Sequence, residues 1–209
     1  MNFNNLLNQV LGSVQQKTGG SGSNGKDTLM KIGGGAAAAG LVSMFLKNKN
    51  TKKIVSAGSM AALGALAYHA YQSWQRNNGD NQAVLNQAAF EPVGHDAENA
   101  GRIILRTMIA AASADGLIDE QEQQLIQNES GGDPSTRQWL LAETARPATP
   151  ADIAREIGNN PALASEAYLA ARMVCGDLAR KEIVFLSQLS QALNLDEKLV
   201  ETLEKQAGF

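Results

Sequence analysis

Three times in the second half of the chain a helix-capping residue stands directly before a proline: Asp133-Pro134, Thr149-Pro150 and Asn160-Pro161. Proline suits the first helical position, where the N–H has no intrahelical partner and φ is already near helical; it breaks helix interiors and central strands. Each pair therefore marks a helix start. Apolar residues around these starts recur at three/four spacing, as in Ile103, Ile104, Met108 and Ile109, then Leu125 and Ile126. Further helices are expected from Ala179 to Leu193, and from an Asp196 cap to Gln206 before Gly208. No segment sustains the alternation of a strand. Residues 98–209 thus read as an all-α bundle of about seven short helices.

The 209-residue chain has room for a smaller region before this domain, and its charge divides accordingly. Before Phe90 the basic residues Lys17, Lys26, Lys31, Lys47, Lys49, Lys52, Lys53 and Arg76 face only Asp27 and Asp80, a net of +6. The overall charge of −3 then leaves −9 for the remainder. The basic residues flank apolar runs and do not line a folded face. That pattern favours anionic lipid over nucleic acid.

Residues 1–31 hold a short amphipathic helix and a Gly/Ser-rich linker, Thr18–Gly25. Phe3, Leu6, Leu7, Val10, Leu11 and Val14 form the helix's apolar stripe, which suits a membrane surface, a partner, or the chain itself. Met1–Gln16 lacks the basic and apolar regions of a secretory signal. Residues 32–76 carry two apolar stretches, Ile32–Leu46 and Ile54–Trp74, joined by the basic connector Lys47–Lys53. The second reaches the roughly 20 residues that a bilayer requires. It ends in Tyr68, Tyr71 and Trp74, as an interfacial belt would. Small residues at four-residue spacing, Ala36 and Gly40, then Ala57, Ala61 and Ala65, would let such helices approach closely in lipid. The alternative is an Ala-rich hairpin packed on the rest of the protein. The lysine connector is expected on the cytoplasmic side, and the acidic domain with it. Residues 77–97 are polar, contain Gly79, Pro92 and Gly94, and read as a linker; His95 there is expected in solvent, and His69 at an interface.

The richest local signal is Ala114-Asp115-Gly116-Leu117-Ile118-Asp119-Glu120-Gln121-Glu122. Asp115, Asp119 and Glu122 could converge on a hard divalent cation in a shallow, water-rich site. Equally, Asp119 and Glu122 have the spacing of a capping box. The segment aligns without gaps on Val174-Cys175-Gly176-Asp177-Leu178-Ala179-Arg180-Lys181-Glu182, sharing the glycine, an aliphatic residue and the final glutamate. Both copies follow an Ala-rich helix, which suggests a duplicated helix–turn–helix. In the second copy Cys175 and Ala179 replace Asp115 and Asp119.

The first of these motifs resembles that of the TerB-like (tellurite-resistance) superfamily, and Glu182-x-x-x-Leu186-x-x-Leu189-x-x-x-Leu193-Asn194-Leu195 is similar to its second. The Gly/Ala-rich basic region ahead of this domain resembles the bacterial inner-membrane family typified by YebE. The resemblance implies an all-helical fold, an inner-membrane location and a divalent-metal or stress-response role, with no established catalytic activity.

No nucleophile–base set, no His/Cys metal set and no phosphate loop is present; Gly33-Gly34-Gly35 lacks the Lys-Ser/Thr of a P-loop. Lone Cys175 lies in an apolar helical pattern, excludes an internal disulfide, and reads as a small buried hydrophobe. Asp152, Glu156 and Glu166 fall at helical surface spacing and are expected on a solvated face. The expected function is a membrane-anchored, non-catalytic binding module with a protein partner and, as its only candidate ligand, a weakly bound divalent cation. The alternative is a structural membrane protein that self-associates into a homo-oligomer.

Overall fold

The computed structural model describes residues 2–19, 58–78, 84–114, 116, 134–175 and 178–209. Among the described residues there are eight α-helices, one 3₁₀ turn and no strand: α1 (Phe3–Gly19), α2 (Met60–Asn78), the 3₁₀ turn Gln87–Phe90, α3 (Gly94–Ala112), α4 (Pro134–Ala145), α5 (Pro150–Ile157), α6 (Pro161–Val174), α7 (Arg180–Ala192) and α8 (Glu197–Gln206). The all-α expectation holds.

The helix starts behave as the cap–proline chemistry requires. Thr149 Oγ1 accepts from the Asp152 N–H while the Asp152 carboxylate accepts from the Thr149 N–H, both at 3.2 Å, ahead of Pro150. Asn160 accepts from the Leu163 N–H at 3.1 Å ahead of Pro161. Asp196 caps α8 through the N–H groups of Lys198 and Leu199. Helix α4 begins at Pro134, with Asp133 outside the described residues. Two helices end in the same reciprocal pair of backbone bonds. After α7, Asn194 turns to φ 51° and Leu195 N–H reaches Ser190 O at 3.0 Å. After α8, Gly208 turns to φ 82° and Phe209 N–H reaches Glu204 O at 2.9 Å.

Helix α6 is the axis of the bundle. Every residue from Ala162 to Cys175 is buried, and α6 packs on α2, α3, α5, α7 and α8. Its broadest contact is with α3, and both helices bury small residues that suit close packing, Ala100, Ala110 and Ala111 on α3 and Ala162, Ala167, Ala170 and Ala171 on α6. Cys175 is fully buried, as expected of a small hydrophobe.

The region before residue 98 departs most from the sequence expectation. From Met60 onward the second apolar stretch enters this core as α2: Leu63, Ala67, Ala70, Tyr71 and Trp74 are buried, and the helix packs on α6 and α8. Its aromatic end is a tertiary anchor, because the Trp74 indole N–H donates to Asp196 Oδ1 at 2.9 Å. The physical reason lies in the spacing. Continued to Asn78, the apolar residues fall on one face, and the other carries exposed His69 and Arg76. Of the small residues proposed for lipid packing, Ala61 is exposed and Ala65 half-buried, off that buried face; Ala36, Gly40 and Ala57 lie outside the described residues. Among the described residues no helix is long and apolar enough to cross a membrane. Helix α1 likewise folds back on its own chain, burying Leu6, Leu7, Val10 and Leu11 against α3 and α2. In the stretch read as a linker, Phe90 is a core residue and α3 already begins at Gly94; His95 is exposed in its first turn.

Candidate functional site

Three elements meet around an open groove of about 280 Å³. Asn4 and Asn8 of α1, Ser59 to Ala61 at the start of α2, and Phe90 to Val93 after the 3₁₀ turn line it. The polar wall is ordered by its own bonds. Asn8 Oδ1 accepts from the Met60 N–H at 2.7 Å, its amide donates to Asn4 Oδ1 at 3.0 Å, and Ser59 Oγ accepts from the Ala62 N–H at 3.2 Å. The first turn of α2 is thereby capped from across the groove, with these N–H groups already satisfied. The apolar wall is Met60, Phe90, Pro92 and Val93, the last 80% exposed.

Phe90 connects the groove to the core. Its ring is buried between Tyr68 and Tyr71, with centroids at 5.6 and 5.8 Å, and its carbonyl presses on Gly64 of α2. A Cβ at residue 64 would stand 2.1 Å from Phe90 O, so only glycine permits this approach. The same position would lie 3.2 Å from Oε1 of Glu166.

Glu166 corrects the solvated-face expectation. It is 2% exposed, and its Oε1 has no hydrogen-bond partner. Burial pushes its pKa from 4.5 to about 8, so the carboxyl is neutral at pH 7. A strongly perturbed buried acid beside a groove marks a functional candidate. It does not line the groove, however, and burial is the sole cause of its shift. The clue in the sequence was the company it keeps: Ala162–Cys175 is apolar on all sides apart from Ser165, Glu166 and Arg172.

The other two expected surface acids are engaged differently. Asp152 caps α5, and the Thr149 hydroxyl and N–H, then Arg155, hold its carboxyl below the usual range. Glu156 pairs with both Arg106 and Arg102, the latter at 3.1 Å, while Arg106 Nε also reaches Glu143 at 2.9 Å. These ion pairs tie α3 to α4 and α5. A second polar cluster, around buried Arg172 and Tyr168, fastens the C-terminus. Arg172 donates to Cys175 O at 2.8 Å, lies 3.3 Å from Glu204 and stacks 4.0 Å above the Phe209 ring. The Tyr168 hydroxyl donates to Glu204 at 2.8 Å; burial and then that carboxylate push its pKa up.

Asp115, Asp119 and Glu122 lie outside the described residues, and among the described residues no group of three or more His, Cys, Asp or Glu is placed to hold a metal ion. Of the second copy, Gly176 and Asp177 lie outside the described residues; around them α6 ends at Val174, Leu178 turns to φ 51°, and Glu182 reaches back to cap the Ala179 N–H at 2.7 Å. There the shared glutamate is a capping residue.

No curated protein and no solved structure matches the chain. One family model matches residues 31–207 and so leaves α1 outside the match. With that match over most of its length, the chain belongs to DUF533, a family of proteins of unknown function.

Proposed function

We propose that this chain is a membrane-tethered, non-catalytic helical binding module of TerB-like type that receives a protein partner in the groove between α1, α2 and Phe90–Val93. The groove carries this reading. At about 280 Å³ it falls just below the roughly 300–1,000 Å³ of small-molecule and cofactor sites. It suits an apolar side chain of a peptide held by Asn4, Asn8 and Ser59 at its rim. A photocrosslinking residue at Val93 of the full chain, in native membranes, is expected to give a discrete protein adduct that Ala61→Arg abolishes. If no adduct forms, this groove is not the docking site.

The tether falls to Ile32–Leu46, because the stretch after it is used in the core from Met60 onward. It is shorter than the roughly 20 residues of a full span, which favours shallow insertion aided by the lysines at both its ends. The helical domain then sits with the lysine connector on the cytoplasmic side of a bacterial inner membrane. The full chain should float with vesicles of phosphatidylethanolamine and phosphatidylglycerol, and Leu41→Glu with Phe45→Glu should leave it at the bottom of the gradient. A wild-type chain that stays at the bottom removes the tether.

The TerB-like motif supports a weak divalent site at Asp115, Asp119 and Glu122. A cation at about five times its Kd stabilises the folded state by about 1 kcal/mol through mass action, giving a melting temperature about 2–4 °C higher. Ca²⁺, Mg²⁺, Mn²⁺ and Zn²⁺ are to be tested on the full chain, since α1 and α2 belong to its core. No rise with any of them, or a rise that Asp115→Ala leaves intact, rules the site out.

A further inference from the structure

We propose that the proton on Glu166 governs the groove: while it is held, the Phe90–Val93 wall stays seated on α2, and its loss releases that wall. The control of binding rests on the groove being the docking site, whereas the movement of the wall stands apart from it. Two oxygens crowd the spot where Gly64 has no side chain, since a Cβ there would stand 2.1 Å from Phe90 O and 3.2 Å from Glu166 Oε1. That Oε1 is buried with no hydrogen-bond partner among the described residues, and the 3₁₀ turn packs on both α2 and α6. Between Asn86 and Gly94 Phe90 alone is buried, so one ring holds this segment down.

A neutral carboxyl can turn a donor hydrogen towards such a carbonyl, whereas a carboxylate has acceptor oxygens only. When the proton passes to water, a full negative charge is left beside the negative end of the Phe90 carbonyl dipole, out of solvent. Water reaches the carboxylate most easily if the singly anchored turn lifts, since α6 is buried from Ala162 to Cys175. The titratable groups on the elements around α6 are committed elsewhere. On α2, Tyr68 and Tyr71 flank the Phe90 ring, while His69 and Arg76 are exposed. Glu91, just after the turn, accepts from Gln87. Arg102 and Arg106 of α3 pair with Glu156 of α5, and Asp152 caps that helix. Glu182 caps α7, and Glu204 of α8 joins Arg172 and Tyr168 of α6 itself. None of these charges holds the Glu166 carboxyl; burial is the sole cause of its raised pKa of about 8.

Fluorine NMR of the full chain, with 4-fluorophenylalanine at position 90, reads the wall directly. Between about pH 6.5 and 9 the buried resonance should give way to a solvent-exposed one, with its midpoint near the Glu166 pKa of about 8. About nine-tenths of the signal should be exposed at the upper end, with helical circular dichroism unchanged. Glu166→Gln and Glu166→Met cannot ionise, and each should keep the buried resonance throughout. A buried resonance that persists in the wild-type chain, an exposed one that appears equally in the variants, or a change that accompanies loss of helix overturns the proposal. The Val93 photocrosslinker in native membranes reads the consequence. Its adduct should fall about tenfold over the same pH range, as the competent fraction does, and should persist in Glu166→Gln. An adduct that survives release of Phe90 overturns the control of the groove and leaves docking intact. No adduct at any pH overturns docking and its control together, and the fluorine spectra then decide the movement of the wall by themselves.

Discussion

Replacing Glu166 by glutamine is expected to stabilise the protein at neutral pH and to flatten its dependence on pH. The unfolded chain releases the Glu166 proton near its ordinary pKa of 4.5, whereas the folded chain keeps it until about 8. Below pH 4.5 both states are neutral and the side chain costs nothing in ionisation. Between these values the folded state binds more protons, so stability falls as pH rises, by about 1.4 kcal/mol per unit. Above pH 8 both states are ionised and the loss levels off. At pH 7 the accumulated loss is about 3 kcal/mol, which glutamine avoids because it never ionises, while keeping the size and polarity of the buried group. For a chain of this length that is about 6–12 °C in melting temperature. Melting curves of both proteins from about pH 4.5 to 9 should nearly coincide at the acid end and diverge towards pH 8. Parallel curves would mean that Glu166 is solvated or charged in the folded state.

Glu166 also shows where sequence patterning stops being informative. Its spacing from Asp152 and Glu156 suits a surface face, but Pro161 starts a new helix and resets which residues share a face. Local chemistry was the more legible part. Caps at Thr149, Asn160 and Asp196 act within a few residues of themselves, so their letters predict their bonds. The three/four stripe of α1 likewise identifies the side that is buried; it cannot say whether lipid, a partner or α3 buries it. The same gap explains α2. An Ala-rich apolar helix of bilayer length has the same composition whether it faces acyl chains or the small residues of α6, and hydropathy does not record the neighbour. Two features did point inward: the polar face carrying His69, Gln72 and Arg76, and a glycine at residue 64 in the middle of the helix. A mid-helix glycine sacrifices about 1 kcal/mol relative to alanine, and close approach of another backbone is a reason to retain it. For the acid triad nothing can be read beyond its letters, since Asp115, Asp119 and Glu122 fall outside the described residues.

That glycine provides the other large effect. On helix propensity alone Gly64→Ala should stabilise α2 by about 1 kcal/mol. The contact opposes it, because the new methyl would stand 2.1 Å from Phe90 O and 3.2 Å from Phe90 C, which are backbone atoms and not the yielding end of a side chain. To relieve the clash the 3₁₀ turn Gln87–Phe90 must move away from α2, drawing the Phe90 ring out from between Tyr68 and Tyr71. Emptying a buried phenylalanine site costs about 3–5 kcal/mol. The clash therefore outweighs propensity, and Gly64→Ala should destabilise the chain by about 2–4 kcal/mol in denaturant melts. The mechanism makes a stricter demand on the double variant. If the damage passes through the undocking of Phe90, then Gly64→Ala should cost far less in a Phe90→Ala background, giving a coupling of at least about 1 kcal/mol. Additive losses would locate the damage elsewhere on α2, and a neutral or stabilising Gly64→Ala would mean that the Phe90 carbonyl does not rest on the helix. The groove supplies an independent readout, because Phe90 is one of its walls: a photocrosslinker at Val93 should lose its adduct in Gly64→Ala even at temperatures where the bundle remains folded.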